Sequence, residues 1–462
     1  MTLLCSPSTR FCSGGHTGCA VGMLRTHARL PRRCARRLLS SRAIESVTQH
    51  LLASDEPSRE SVFEFNRVLP PTPISILALT KAASEAGRAE MQLLNAKFVL
   101  RELTSRRAYG LSMLLKAEHM SSPGLQALLQ QPQVQTLKQA YWRRLRLLLE
   151  QPRLTSTEEE EAFYGRMQTD FYAQEGETRA AIGQALATLR DERGDDGSEE
   201  LEISSFLDSF FSQRVALRFL VEHYLASKQQ RDGFAGVIQM DCSPVALMEE
   251  LGSSVEQKMH DTFGASPRVE VHGDRDATFC YAPTHVEFMV GELLGNAAKA
   301  TVKHHLQTDT GRLTNLPPVK VIMAASDAHV TIKVADTAGG IPRSQLRNVW
   351  SYRGKALKRW GQGVGLGLPL ARLYAKYFGG SMHAVPMEGH GTDCYVVLNR
   401  LADANCEKIL KVPSFTAAAR EEEMRAALDS EERPNQGRWR HAIRLFDAQA
   451  RRGGGLPDAN SA

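Results

Sequence analysis

Between residues 74 and 120, apolar side chains recur at steps of three and four, from Leu93, Phe98, Val99 and Leu103 to Leu111, Leu114 and Leu115. That is the period of an amphipathic helix. A second helical block surrounds residues 137–149, and a third opens after Thr155, whose place three residues before Glu158 fits a capping box. The run 158–161 then falls at a helix start, where the macrodipole favours negative charge, and reads as a solvated face. A fourth helix covers residues 202–227, after the turn-like, charged DERGDDGSEE. Four long antiparallel helices make a bundle. Near Gly233 the texture changes: strand-like runs at 269–272, 319–324, 330–334 and 394–398 alternate with helical ones at 244–263, 285–305 and 368–378. Mixed strands with helices on one face predict an α/β sandwich. The fold class expected is thus α+β and multidomain, an N-terminal four-helix bundle followed by an α/β sandwich. The bounds are 45–235 for the bundle, 236–402 for the sandwich and 403–462 for an extended, charged tail.

Composition changes this picture at the front of the chain. Residues 1–44 hold eight arginines, no lysine and no acidic residue, so of the net +5 the leader contributes +8 and the remainder −3. A leader rich in Arg, Ser and small residues has the character of an organelle transit peptide, and mitochondrial import is the expectation. With the positive charge confined there, nothing in the rest of the chain calls for nucleic acid. No segment reaches the ~18 uninterrupted apolar residues of a membrane span. Of the eight cysteines, Cys5, Cys12, Cys19 and Cys34 lie in the leader, while Cys242, Cys280, Cys394 and Cys406 are far apart. Neither a disulfide framework nor a zinc site is indicated.

Candidate chemistry begins on the helix from His285. Glu292, Asn296 and Lys299 stand at i, i+4 and i+7 and share a face. A carboxylate, an amide and an ammonium so arranged could orient a hydroxyl, ligate Mg2+ and neutralise a phosphate, or form a plain solvated stripe. Downstream, a strand delivers Asp336 into ADTAGGIP with Gly339 and Gly340, where the carboxylate could accept from an adenine amine or cap its own turn. GQGVGLGLP follows, with Gly363, Val364, Gly365, Leu366, Gly367 and Leu368. Its glycines let backbone N–H groups approach phosphate at the start of a helix. In GTDCYVVL, Thr392 heads a strand, where its hydroxyl could meet a purine edge or stabilise the turn.

Taken in order, ELLGNAAKAT, DTAGGIP, GVGLGLPLARLYAKYFGG and GHGTD resemble the nucleotide-binding boxes of the GHKL ATPase superfamily. More closely, they resemble mitochondrial pyruvate dehydrogenase kinases and the related branched-chain 2-oxoacid dehydrogenase kinase. The likeness extends into the bundle through FVLRELTSRRA (residues 98–108) and FLDSFFSQRVALRFLVEH (residues 206–223) and covers most of residues 60–400. The resemblance implies Glu292 as general base toward a substrate serine, with Lys299 beside it, and Asn296 as Mg2+ ligand. It implies Asp336 and Thr392 as adenine contacts, and residues 363–368 as the phosphate loop beneath a lid. It implies a matrix kinase of the E1 component of a 2-oxoacid dehydrogenase complex, docking on the E2 lipoyl domain, with a possible homodimer. WRH at 439–441 leans toward the pyruvate enzyme, GGSM at 379–382 and the HH pair at 304–305 toward the branched-chain one.

The chain departs from the family at several places. Phe288 stands where the family has a histidine one turn before Glu292, Gly295 replaces a lysine, Lys299 an arginine and Ala338 the first glycine of its box. The lid, between Trp350 and Gly363, is short, and the family's C-terminal Asp-Trp pair has no clear counterpart. These departures leave open a GHKL module that binds ATP without catalysis. His223, on the last bundle helix, is expected to be structural, the alternative being the phosphoacceptor of a histidine kinase. His304 and His305 are expected at a solvated helix end.

Overall fold

A computed structural model describes residues 41–84, 89–117, 122–173, 177–193, 200–229, 231–308, 315–352, 365–400 and 405–407. The leader up to residue 40, the lid at 353–364 with Gly363 and Val364, and the tail beyond 407 lie outside the described residues.

The first half is helical: α1 (Ser41–Leu52), α2 (Arg59–Val68), α3 (Ile76–Ser84), α4 (Ala89–Ala117), α5 (Pro123–Gln130), α6 (Pro132–Leu149), α7 (Thr157–Ala173), α8 (Glu177–Arg193) and α9 (Glu200–Ser227). The bundle's four positions are taken by α4, by α5 with α6, by α7 with α8, and by α9; α7 packs on α4 and α9, α8 on α5 and α6. Helix α1 begins at Ser41 and Ile44 packs against the bundle core, so described helical structure reaches into the stretch assigned to the leader.

Local chemistry explains where α7 begins. The Ser156 Oγ accepts from the Glu159 N–H at 3.3 Å while the Glu159 carboxylate accepts from the Ser156 N–H at 3.1 Å. The capping box is therefore Ser156–Glu159, one residue later than Thr155–Glu158. Nor is 158–161 simply a solvated face. Glu160 is buried, accepting from the Tyr224 hydroxyl at 2.6 Å and pairing with Lys228 at 2.8 Å. Burial outranks the dipole there, since a carboxylate removed from water needs partners.

The second half contains β1 (Phe234–Ala235), β2 (Ile238–Cys242), α10 (Pro244–Phe263), β3 (Val269–His272), β4 (Phe279–Tyr281), α11 (Pro283–Thr308), β5 (Val319–Ala325), β6 (His329–Ala335), a 3₁₀ turn (Leu346–Trp350), α12 (Gly367–Tyr377), β7 (Ser381–Met387) and β8 (Gly391–Asn399). The main sheet runs β3-β5-β6-β8-β7, with β3 and β5 parallel and the remaining pairs antiparallel; β1-β2-β4 form a small second sheet. Val319, Val321, Met323, Val330, Ile332, Val334, Val396 and Leu398 alternate inward beneath the helices.

Bundle and sheet domain share their cores. Phe219 of α9 sits 4.9 Å from His285, 5.1 Å from Phe378 and 6.0 Å from Tyr377, ring centre to ring centre. Leu366, Leu370 and Leu373 pack in the same apolar cluster as Phe206, Phe210 and Phe211. Residues 405–407 are not part of a loose tail. Cys406 bridges to Ser75, and the Arg106 Nη1 and Nη2 donate to the two Glu407 carboxylate oxygens at 2.5 and 2.7 Å. The Glu102 Oε2 stands 3.4 Å from Arg106 Nε, and Arg106, Glu102 and Glu407 are all buried. Burial alone would favour neutral Arg106, but the charge and hydrogen bonds of Glu407, with Glu102, outweigh it and hold the guanidinium ionised.

Candidate functional site

Glu292 enters the site from the middle of α11, with its inward neighbours Leu293 and Leu294 buried and Asn296 and Lys299 exposed on its own side. Its carboxylate rests against the first residue of α12. A Cβ built on Gly367 would meet Glu292 Oε2 at 2.0 Å. A side chain there would have to displace the carboxylate, so Gly367 serves the approach of Glu292. The other carboxylate oxygen, Oε1, lies 3.5 Å from Arg179 Nη2 on α8. One turn back, Phe288 packs on Tyr374 with ring centres 4.6 Å apart, so that turn of α11 faces apolar core.

The second half of the site is made where β6 ends beside β8. Asp336 Oδ1 accepts from the Ala338 N–H at 3.0 Å and the Thr392 N–H at 3.3 Å, and the Asp336 N–H donates to the Thr392 carbonyl at 3.1 Å. Of the two readings of Asp336, the contacts of Oδ1 are those of a carboxylate that caps its own turn. Burial raises the Asp336 carboxyl above its usual range, and the two backbone N–H groups oppose that rise. Thr392 is buried at the head of β8. Gly339 and Gly340 have φ of +78° and +74°, conformations that glycine adopts freely. A Cβ on Gly340 would strike the Met387 carbonyl at 2.3 Å, and one on Gly391 the Asp336 carbonyl at 1.9 Å.

The glycine loop shows its leaving side. Gly365 has φ +75°, and Leu366 precedes α12 with its side chain fully buried in the bundle cluster. Leu368 packs against the other core. Leu366 and Leu368 therefore act as anchors that fix the loop's exit. The start of α12 has no side-chain cap, which leaves its first N–H groups the character of an anion site.

Two expectations about histidines change. His304 is not at a solvated helix end: a Cβ on Gly339 would meet its Cε1 at 2.8 Å, so the half-buried imidazole covers the turn that holds Gly339 and Gly340. His223 is buried, with Leu79 as its backbone hydrogen-bond partner, and burial lowers its pKa to about 4. Enclosed against Gly236 at the β1–β2 turn, it is a structural residue and is unsuited to accept a phosphoryl group. His285 is likewise enclosed, lowered to about 3 by burial and then by the charge of Arg218. Sequence reasoning missed Arg179 and His304, whose roles arise from contacts between elements far apart in the chain.

Among the described residues no three His, Cys, Asp or Glu side chains converge as a metal cage, and no helix is long and apolar enough to cross a membrane. A single exposed amide, Asn296, fits a metal that takes most of its oxygen ligands from elsewhere.

Comparison with known proteins follows the same division. Residues 73–239 match the mitochondrial branched-chain alpha-ketoacid dehydrogenase kinase family, and residues 281–402 match the histidine kinase-, DNA gyrase B- and HSP90-like ATPases. Over 220 residues the chain is 32% identical to a mitochondrial pyruvate dehydrogenase (acetyl-transferring) kinase of Arabidopsis thaliana, covering 44% of this chain and 59% of that one. It is 33% identical to the Schizosaccharomyces pombe enzyme of that name over 44% of this chain and 51% of that one. With isozyme 4 of Homo sapiens it shares 30% identity over 52% of this chain and 61% of the human one. The matched stretch thus spans between half and just over three fifths of these relatives. Bundle and sheet domain thus match in the order helical kinase family, then ATPase family, and the chain is similar over both to mitochondrial pyruvate and branched-chain 2-oxoacid dehydrogenase kinases.

Proposed function

We propose that the protein is a mitochondrial matrix serine kinase that transfers the γ-phosphoryl group of ATP to the E1 component of the pyruvate dehydrogenase complex and so inactivates it. The observation that carries this reading is the seating of Glu292 on Gly367, which brings a carboxylate to the start of the helix that follows the glycine loop. Asp336 and Thr392 hold the adenine; Gly339, Gly340 and residues 363–368 form the cradle. Glu292 takes the proton from the serine hydroxyl as the new O–P bond forms and the bond to ADP breaks, and Lys299 offsets the phosphate charge. Such transfer asks mainly for positioning and charge neutralisation. A magnesium ion shared by Asn296 and the nucleotide phosphates would supply that neutralisation at the reacting end.

The relatives' names support the pyruvate complex as target and the mitochondrion as compartment, as does the arginine-rich leader. A second reading, the branched-chain E1, is favoured by the family matched over the bundle. Docking on an E2 lipoyl domain and pairing of two copies accompany either reading. The test is phosphate incorporation from Mg-ATP into purified pyruvate and branched-chain E1, with the site assigned by mass spectrometry. Phosphoserine on the pyruvate E1 is expected; Glu292→Gln should abolish it with ATP affinity retained, and Asp336→Ala should lose ATP binding. Tight ATP binding with no transfer to either E1 would overturn the reading in favour of a non-catalytic module, and acid-labile phosphate on the kinase itself would favour a histidine kinase.

A further inference from the structure

The first three residues of α8 each make a contact with a different helix. Glu177 accepts from Arg144 Nη2 of α6 at 2.6 Å. Thr178, fully buried, accepts through Oγ1 from Arg214 Nη1 of α9 at 2.8 Å. Arg179 reaches out of the bundle to Glu292 Oε1 on α11 at 3.5 Å. Residues 177 and 178 are thus fixed to two bundle helices, and residue 179 carries that fixed point to the carboxylate of the ATPase domain.

We infer that Arg179 is a positioning residue for Glu292, an inference that rests on the reading of Glu292 as general base. The contact has one oxygen of the carboxylate in hand and leaves the other over Gly367, which has no side chain to steer it. From the neighbouring turn of α11, Phe288 offers an aromatic ring and neither charge nor hydrogen bond. Arg179 supplies a cation held from the bundle beside Oε1, and that contact sets the carboxylate's rotamer. The pair is partly exposed, Arg179 at 40% and Glu292 at 28%, and pairs of that exposure add little to stability. Orientation is a different matter, because misplacing a catalytic group by about an ångström costs on the order of 10²-fold in rate.

The experiment compares wild type, Arg179→Lys and Arg179→Met as full chains in the E1 phosphorylation assay. For Arg179→Met, kcat should fall at least about ten-fold, with KM for ATP and calorimetric ADP affinity within about two-fold of wild type. Arg179→Lys, which keeps the charge, should recover most of the lost kcat. In a Glu292→Gln background Arg179→Met should have no further effect on the residual rate. An unchanged kcat in Arg179→Met, equal losses in the Lys and Met variants, or a loss expressed in ADP affinity would overturn the inference. A wild type that transfers no phosphate would sink the kinase reading itself. The positioning role falls with that reading, whereas the three outcomes above overturn the inference alone.

Discussion

Glu292 Oε2 lies 2.0 Å from the point a Cβ on Gly367 would occupy, so the two residues share a space that admits only one of them beyond the backbone. Gly367→Ala must push the carboxylate aside. Phosphoryl transfer should fall by about 10²-fold, the cost of an ångström-scale displacement, and ATP affinity measured by calorimetry should fall much less, since the backbone N–H groups at the start of α12 are kept.

The adenine side should respond in the opposite way. In Gly391→Ala the new methyl meets the Asp336 carbonyl at 1.9 Å, and that atom belongs to a backbone that cannot swing aside. Forced repacking of this kind costs about 1–3 kcal/mol. Thermal unfolding should move down and ATP affinity should drop together, whatever the rate of transfer by the fraction still bound.

Arg106 is the test of the seam between domains. Arg106→Met leaves the buried Glu407 carboxylate without its cation and Glu102 with Arg101 alone. Breaking a buried pair from one side costs about 3–5 kcal/mol. Denaturant unfolding should show that loss, and Arg106→Met with Glu407→Gln should recover part of it because one stranded charge has gone.

His223 and His285 make stability depend on pH with a definite sign. Both have folded pKa values below the ordinary imidazole value, about 4 and about 3. Above about pH 6.5 neither state protonates them. As pH falls below that, the unfolded chain binds protons that the folded one refuses, so stability declines toward pH 4 for His223 and toward pH 3 for His285. Each contributes a slope of about 1.4 kcal/mol per pH unit. His285→Phe, placed among Phe219, Tyr374 and Phe378, should reduce the slope between pH 5 and 6 by about that amount in chemical denaturation.

The elements readable from the chain are those whose packing is periodic. In β5 and β6 alternate residues are buried, which is why their runs were visible as strands, and α10 occupies the expected residues 244–263. Strand β7 escaped notice because SMHAVPM lacks a clean apolar alternation and contains Pro386. Proline is tolerated there because β7 is an edge of the sheet. The nucleotide turn was legible for a related reason: Asp336, Gly339 and Gly340 form one local segment. Gly363 and Val364, equally local in sequence, lie outside the described residues. Arg179 could not be read, since α8 approaches α11 only after the bundle and sheet have packed, and an arginine in GETRAA carries no mark of its destination. The same holds for Glu407, a charged residue in a charged stretch, whose burial depends on a partner 301 residues away.

That separation has a consequence for how the molecule is made. Synthesis delivers Arg106 long before Glu407, and at roughly 5–20 residues per second the interval is about 15–60 s. Through that interval Arg106 has Glu102 and the Thr72 carbonyl beside it and lacks the two hydrogen bonds to Glu407. The last partner of this buried cation lies beyond the last strand of the main sheet. Maturation of the two halves is thus joined at its final step, and a chain cut short before residue 405 would leave both with an unsealed joint.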